Sequence, residues 1–174
     1  MHAVAGSMPG ASQFGWALRI HCRVRALSAD FSINIRVYYE DTDLGGVVYY
    51  ANYLKFMERA RTDFLRQAGF DQGQLLSEAR RMFVVSKASI EYHLPAVLDD
   101  WLAVTAKVQQ IRRASLLFSQ QCWRVQQRDE SSANCANVEE GDLLATGSVL
   151  VACLDADTRK PCAIPQNLKM VLDR

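Results

Sequence analysis

Three carboxylates and a pair of glycines precede a long helical segment, and this arrangement could perform hydrolytic chemistry. Glu40, Asp41 and Asp43 come just before Gly45-Gly46, and a helix is predicted to begin at about Ala51. Adjacent glycines permit a sharp turn, because glycine reaches backbone conformations with positive φ. A carboxylate is thereby held near the start of a helix, where free backbone N–H groups point outward. An acidic side chain beside such donors provides part of what a hydrolytic site needs.

The roles of the three carboxylates differ in this interpretation. A carboxylate can attack a carbonyl carbon itself or activate a water molecule, and the residues alone leave both routes open for Asp43. An aspartate in such a turn is also a common turn-forming or helix-capping residue. Like charges at Asp41 and Asp43 would raise a pKa if the two were close, but we expect Asp41 to be solvated.

The periodicity of apolar residues indicates which elements position these groups. Alternation predicts a first strand over 32–40, and spacings of three and four predict a helix from about Ala51 to Ala68, with Gly69 as its stop. Residues 71–80 predict a second, short helix. The apolar face of the long helix comprises Tyr53, Phe56, Met57, Ala60, Phe64 and Ala68. Arg61 falls with the charged residues of the opposite, polar face.

The rest of the chain has the character of an antiparallel meander. Four strands are predicted, at Met82–His93, Trp101–Ile111, Ser115–Arg128 and Leu143–Leu154. A polar loop is predicted over 129–142, and a short helix over Gln166–Leu172. One long amphipathic helix against such a sheet is an α+β layer pair.

The composition of the chain limits the classes of protein to which it can belong. The chain has 174 residues, 49% of them hydrophobic, and a formal net charge of +1, which favours one globular domain and gives no support to nucleic-acid binding. Five cysteines without a CxxC pair favour reduced thiols over a zinc site, and hence a cytoplasmic protein. No apolar run approaches the ~18 residues of a membrane span. Serine-hydrolase elbows and nucleotide-binding glycine motifs are absent from the sequence.

Several motifs now support a family resemblance. The stretch from Tyr39 to Tyr49, followed by Asn52-Tyr53-Leu54 and Glu58–Arg61, closely resembles the hotdog-fold acyl-CoA thioesterases. Within that family it is similar to the branch encoded beside the Tol-Pal cell-envelope system (YbgC-type), which itself resembles 4-hydroxybenzoyl-CoA thioesterase. Later segments fit the same pattern: Phe83-Val84-Val85, Glu91-Tyr92, Pro95-Ala96, Leu98-Asp99-Asp100 and Arg113-x-Ser115-Leu116.

The resemblance implies a fold and an assembly. It covers roughly residues 33–170, so we assign 31–174 to the hotdog domain and 1–30 to an N-terminal extension that is poorly structured or partly strand. The implied fold is a long central helix wrapped by a curved antiparallel sheet of about five strands. The implied assembly is a homodimer with one continuous sheet, commonly paired into a homotetramer.

The resemblance also implies residue roles. Active sites lie at the dimer interface and hydrolyse thioesters with no metal or other cofactor. Asp43 takes the place of the catalytic carboxylate, and the backbone N–H of Tyr50 polarises the thioester carbonyl. Many relatives in the Tol-Pal branch have histidine at this helix start, whereas this chain has tyrosine, as the hydroxybenzoyl branch does.

Substrate-binding residues are expected around the same motif and at a basic turn. Four of them follow Asp43 directly: Gly45, Gly46, Val47 and Val48. Coenzyme A carries phosphates, so Lys87, Arg112 and Arg113, with Ser115 nearby, are the candidates to bind it.

Three functional hypotheses follow. The first is an acyl-CoA thioesterase, with thioesters of acyl carrier protein as a further candidate substrate class. The second is a non-catalytic acyl-CoA-binding or scaffold protein of the Tol-Pal system, with peripheral association at the inner membrane. The third, a hotdog dehydratase, requires a histidine at the helix start, and no histidine lies near Tyr50.

Overall fold

The computed structural model describes residues 31–126 and 141–173. The elements in chain order are β1 (Ser32–Arg36), a 3₁₀ turn (Tyr39–Asp41), α1 (Asn52–Gln67), α2 (Gln72–Ser77), β2 (Arg81–Tyr92), β3 (Trp101–Thr105), β4 (Lys107–Ile111), β5 (Ser115–Val125), β6 (Asp142–Asp155) and α3 (Gln166–Leu172). The α+β class and the order of strand, long helix and strands are therefore confirmed. The extension 1–30 and loop residues 129–140 lie outside the described residues.

One antiparallel sheet contains all the described strands. Its order is β1-β3-β5-β6-β2, and β4 pairs with β5. β3 and β4 pair with successive parts of β5 and are separated only by Ala106, so the single strand predicted over Trp101–Ile111 is interrupted there. This interruption makes six strands instead of about five. β2 pairs with β6 alone, so its other side is an open sheet edge within the described chain.

Helix α1 lies against the sheet through the predicted apolar face. All six residues of that face are buried, which confirms the periodicity. The helix ends where expected, since Gly69 has a φ of 87°. Gly147 in β6 allows close contact, because a Cβ at this position would lie 2.6 Å from Sδ of Met57.

The first strand is shorter than its alternation predicts. β1 ends at Arg36, and residues 39–41 form a 3₁₀ turn instead of continuing the strand to 40. The carboxylate of Asp41 accepts a hydrogen bond from the N–H of Tyr38 at 3.1 Å. A side chain that bonds to the preceding backbone in this way favours a turn over a sheet ladder.

Arg61 is a second departure, because it lies in the core and not on the polar face. Arg61 is only 8% exposed, and its Nη1 donates to Oε1 of Gln120 at 2.6 Å. Nε2 of the fully buried Gln120 donates to the carbonyls of Met57 and Thr105 at 2.9 and 3.1 Å. Burial lowers the pKa of Arg61, and the charge of Glu58 opposes this shift. The Arg61–Gln120 pair thus joins α1 to two strands by polar contacts inside an apolar core.

The described cysteines are unbonded thiols, as the sequence predicts. Cys122 and Cys153 are buried and Cys162 is half-buried. Within residues 31–126 and 141–173, no helix combines the length and apolarity that a membrane crossing requires.

We expect Gln120→Leu to lower the free energy of unfolding by about 2–3 kcal/mol, since it leaves the buried Arg61 guanidinium without its acceptor. Denaturant unfolding followed by circular dichroism measures this. Gln67→Leu, at an exposed position of α1, is the matched control and should change stability by less than about 0.5 kcal/mol. Equal effects of the two variants would contradict the structural role of the pair.

Candidate active site

Asp43 lies at the exposed tip of a tight turn. Its Oδ1 accepts the N–H of Gly45 at 2.8 Å, and its carbonyl accepts the N–H of Gly46 at 2.9 Å. Gly46 has a φ of 75°, a conformation that glycine adopts without strain. The N–H of Asp43 donates to the carbonyl of Val47, which closes the turn. The carboxylate therefore helps to build its own loop and still faces solvent.

Asp41 connects this turn to the start of α1. It is only 4% exposed, so the expectation that it is solvated is wrong. Its carbonyl accepts two hydrogen bonds, one from the N–H of Tyr49 at 2.9 Å and one from Nδ2 of Asn52 at 2.8 Å. In the 3₁₀ turn its carboxylate accepts the N–H of Tyr38 instead of facing solvent. The two bonds fix the distance between the Asp43 turn and the helix start.

The start of α1 presents backbone donors without a capping side chain. Ala51 is the N-cap residue and supplies no side-chain hydrogen bond. In the described part of the chain, the N–H groups of Tyr50 and Ala51 have no acceptor. The carbonyl of Tyr50 accepts the hydroxyl of Tyr92 at 3.0 Å, which ties the helix start to the end of β2. These N–H groups are free to polarise the carbonyl of a ligand.

A cluster of tyrosines surrounds the helix start. The rings of Tyr49 and Tyr50 lie 4.5 Å apart, and the hydroxyl of Tyr53 accepts the N–H of Ala96 at 3.1 Å. Interaction with Tyr50, followed by desolvation and the nearby Asp43 charge, raises the pKa of the Tyr49 phenol. Burial raises the pKa of Tyr53 and of Tyr92. These three phenols consequently stay neutral near pH 7 and act as hydrogen-bonding groups.

An open cavity of about 510 Å³ lies between α1, β2 and β6. It is lined by Leu54, Lys55, Glu58, Arg59, Arg61, Val85, Ala88 and Val149. Leu54 follows Tyr50 by four positions, so the cavity continues along the same side of the helix. Glu58, expected on a polar helix face, is exposed at this cavity and accepts the hydroxyl of Thr62 at 2.8 Å.

The remaining predicted site residues divide into two groups. Val47 forms a bridge with Val97, and the N–H of Val48 donates to Ala96, so both belong to the loop that holds Asp43. Arg113 and Ser115 lie elsewhere, at the β4–β5 connection.

Strand register gives the separation between these groups. Tyr92 is level with Cys122 across β6, because both pair with Ala145. Cys122 and Ser115 are seven residues apart on β5, which is about 24 Å of strand. Lys87 lies between these levels, exposed on β2. One copy of the chain therefore does not bring Arg112, Arg113 or Ser115 to Asp43.

Two residues that position the site had no predicted role. Asn52 and Tyr92 belong to the motifs that carry the resemblance, but no pattern in the sequence links them to Asp41 and Tyr50. Among residues 31–126 and 141–173, no three or more His, Cys, Asp or Glu side chains group as metal ligands.

Comparison with known proteins places these features in a family. The sequence model of the thioesterase superfamily matches residues 45–131. The chain is 42% identical to the protein named "Acyl-CoA thioesterase YbgC" of Haemophilus influenzae, over 82% of this chain and 94% of that protein. It is 31% identical to a Helicobacter pylori protein of the same name, over 79% of this chain and 96% of the relative.

Solved structures agree in fold. A probable thioesterase from Bartonella henselae superposes with a TM-score of 0.65 at 31% identity, covering 79% of this chain and all of that one. A 1,4-dihydroxy-2-naphthoyl-CoA thioesterase from Synechocystis, 22% identical, gives a TM-score of 0.70 over 83% of this chain and 96% of that one. These matches confirm the hotdog fold and the resemblance. The chain belongs to the thioesterase superfamily.

Proposed function

We propose that this protein hydrolyses acyl-CoA thioesters to the free acid and coenzyme A. One observation carries the proposal: an exposed Asp43 carboxylate is fixed beside the uncapped start of α1, in a chain of the thioesterase superfamily. Asp43 begins bond cleavage, and the N–H of Tyr50 binds the oxygen of the thioester carbonyl.

The chemistry needs both groups at once. When the carbonyl carbon is attacked, negative charge develops on its oxygen, and a donor already in place stabilises that charge without reorganisation. In one route Asp43 removes a proton from water, and the hydroxide attacks; in the other the carboxylate attacks, and water hydrolyses the resulting anhydride. In both, the C–S bond breaks and the CoA thiolate leaves and takes up a proton.

The cavity along α1 is suited to the acyl group. It begins at Leu54, one helical turn beyond Tyr50, and Val85, Ala88 and Val149 supply apolar walls. A carbonyl bound at the N–H of Tyr50 would direct its acyl chain along this side of the helix. Lys55, Glu58 and Arg59 at the same cavity place charge beside its apolar walls.

A homodimer would complete the site. β2 is an open edge, and Val85 within it is 52% exposed. If two copies pair antiparallel through β2, the Tyr92 end of one strand lies beside the Arg81 end of the other. The partner copy then brings its Arg113 and Ser115 end toward this copy's Asp43, and Lys87 lies at the seam. That arrangement supplies cations for the CoA phosphates.

The proposal also covers a second substrate class, the cellular location and the assembly of the protein. Acyl carrier protein thioesters present the same reacting group and are a second substrate class. Free thiols among the described cysteines support a cytoplasmic location. We also propose that two dimers associate into a tetramer. The protein would function beside the Tol-Pal system, in peripheral association with the inner membrane.

We expect Asp43→Asn to lower kcat for acyl-CoA hydrolysis by roughly 10²- to 10⁴-fold, because the amide can neither attack nor accept the proton. Thiol release from short, long and aromatic acyl-CoAs is the measurement. Asp63→Asn, a partly exposed α1 position paired with Arg66, is the matched control and should retain wild-type turnover.

Equal turnover by the Asp43→Asn variant and wild type would refute the role of Asp43. Saturable acyl-CoA binding without hydrolysis by the wild-type protein would instead favour the non-catalytic binding protein. Tyr50, at the position where many relatives have histidine, is the feature that would then account for the missing hydrolysis.

Gly45→Ala tests the placement of the carboxylate without removing it. A Cβ at this position would lie 3.0 Å from Oδ1 of Asp43, so the carboxylate must shift. We expect kcat to fall by about 10- to 100-fold, with a melting temperature near that of wild type. Gly69→Ala, which strains a backbone of positive φ away from this turn, should show the reverse: lower stability and near-normal kcat.

Val85→Lys tests the dimer. A lysine on an edge strand opposes pairing with a second edge, so the variant should elute as a monomer in size-exclusion chromatography with light scattering. The wild type should show at least twice the chain mass of 19.6 kDa. Leu76→Lys, at an exposed α2 position, is the control and should leave the mass unchanged. A monomeric wild-type enzyme with full activity would contradict the shared site.

A further inference from the structure

Two thiols face each other where β6 meets the segment that precedes α3. The Sγ atoms of Cys153 and Cys162 lie 3.7 Å apart, in van der Waals contact. We propose that Cys153 and Cys162 are a redox-active dithiol, a modification site that closes to a disulfide by exchange with the disulfide form of a small thiol such as glutathione. This site is separate from the proposed catalytic site and does not depend on its function.

The backbone places the two residues directly opposite each other. Leu154 and Pro161 form an antiparallel bridge, bracketed by hydrogen bonds from Asp155 N–H to the carbonyl of Lys160 and from Cys162 N–H to the carbonyl of Cys153. Cys153 and Cys162 are the next pair along this ladder. Opposed residues of antiparallel strands lie about 4.5–5.5 Å apart at Cβ. A disulfide holds its Cβ atoms about 3.5–4.5 Å apart, so the bond forms after a small approach of the two backbones.

The turn between the two cysteines is held before any reaction. Oδ1 of Asp155 accepts both the N–H and the hydroxyl of Thr158, each at 2.9 Å. The N–H of Arg159 donates to the carbonyl of Asp155, and Asp157 forms an ion pair with Arg80. Because the turn is ordered, little further entropy is lost when the ring closes, and intramolecular attack is favoured over a second external thiol.

Exposure determines the order of the two steps. Cys162 is half-buried, whereas Cys153 is fully buried, and burial raises the pKa of the Cys153 thiol to about 12. The Cys162 thiolate attacks glutathione disulfide and releases one glutathione thiolate. The Cys153 thiol then loses its proton to water, and its thiolate attacks Cys162 in the mixed disulfide and releases the second glutathione thiolate; the raised pKa makes this the slower step. Two cysteines are oxidised, one glutathione disulfide is reduced, and both thiol protons end on glutathione.

The disulfide would tie together three segments. The N–H of Cys153 donates to the carbonyl of Ala114, and the N–H of Ile164 donates to the carbonyl of Arg113. The bond therefore joins β6, the β4–β5 connection and the segment leading to α3. Cys122 offers a contrast within the same chain, because it is buried at β5 and has no described sulfur neighbour.

The experiment uses the full chain with Cys22→Ser and Cys135→Ser, which leaves Cys122, Cys153 and Cys162. The protein is incubated with glutathione disulfide or with reduced glutathione, denatured, and alkylated with N-ethylmaleimide before mass spectrometry. We expect three alkylated thiols after reduction and one, Cys122, after oxidation. Trypsin cleaves after Arg159, between the two cysteines, so a linked peptide pair that separates on reduction locates the bond.

Cys162→Ser in the same background is the control and keeps a small polar side chain at a half-buried position. It should show two alkylated thiols under both conditions and no linked peptides. The proposal is overturned by three alkylated thiols in the oxidised three-cysteine protein, or by glutathione retained on Cys162 without ring closure. A linked pair that contains Cys122 would overturn it as well.

Discussion

The hydrogen bonds of Asp41 determine the geometry of the candidate site. Its side chain ends β1 by binding the N–H of Tyr38, and its carbonyl binds Tyr49 and Asn52 at the start of α1. A buried polar group costs free energy unless it is hydrogen-bonded. Asp41 can therefore be buried only when these hydrogen bonds are made. These bonds thereby hold the turn that carries Asp43 to the start of α1, which Tyr50 directly precedes.

The start of α1 has no side-chain cap at Ala51. A serine, aspartate or asparagine at the N-cap typically contributes ~1 kcal/mol by binding free N–H groups. Ala51 has no side-chain oxygen to make those bonds. The N–H of Tyr50, one residue before the cap, is a separate donor that has no acceptor in the described part of the chain. The helix does not depend on the cap, because its apolar face is buried against the sheet and most helix stability in proteins comes from such packing.

Local periodicity made much of the fold predictable. The α1 face, its stop at Gly69 and the bounds of α3 follow from residues within one or two turns of each other. Asp41 was misplaced for a local reason, its bond to the N–H of Tyr38 in a turn, and Arg61 for a non-local one. The strand that carries Asp41 stops early, and Arg61 finds Gln120, 59 positions away, as a buried acceptor.

The same distinction separates the predictable and unpredictable parts of the site. Asp43 and Tyr50 are seven positions apart in the chain, so their proximity could be predicted from the motif. The position of Arg113 depends on strand pairing, which no short stretch of sequence records. A residue type suited to phosphate indicates a candidate but not the subunit from which it acts.

Strand direction explains why such a site would be shared between copies. Each subunit holds its carboxylate and free N–H groups at the Tyr92 end of the sheet and Arg113 at the other end. A twofold axis that pairs two β2 edges always joins unlike ends. A long substrate with a reacting carbonyl at one end and phosphates at the other needs such a pairing of unlike ends. We therefore infer that symmetry, and not a longer chain, supplies the distance between the two halves of the site.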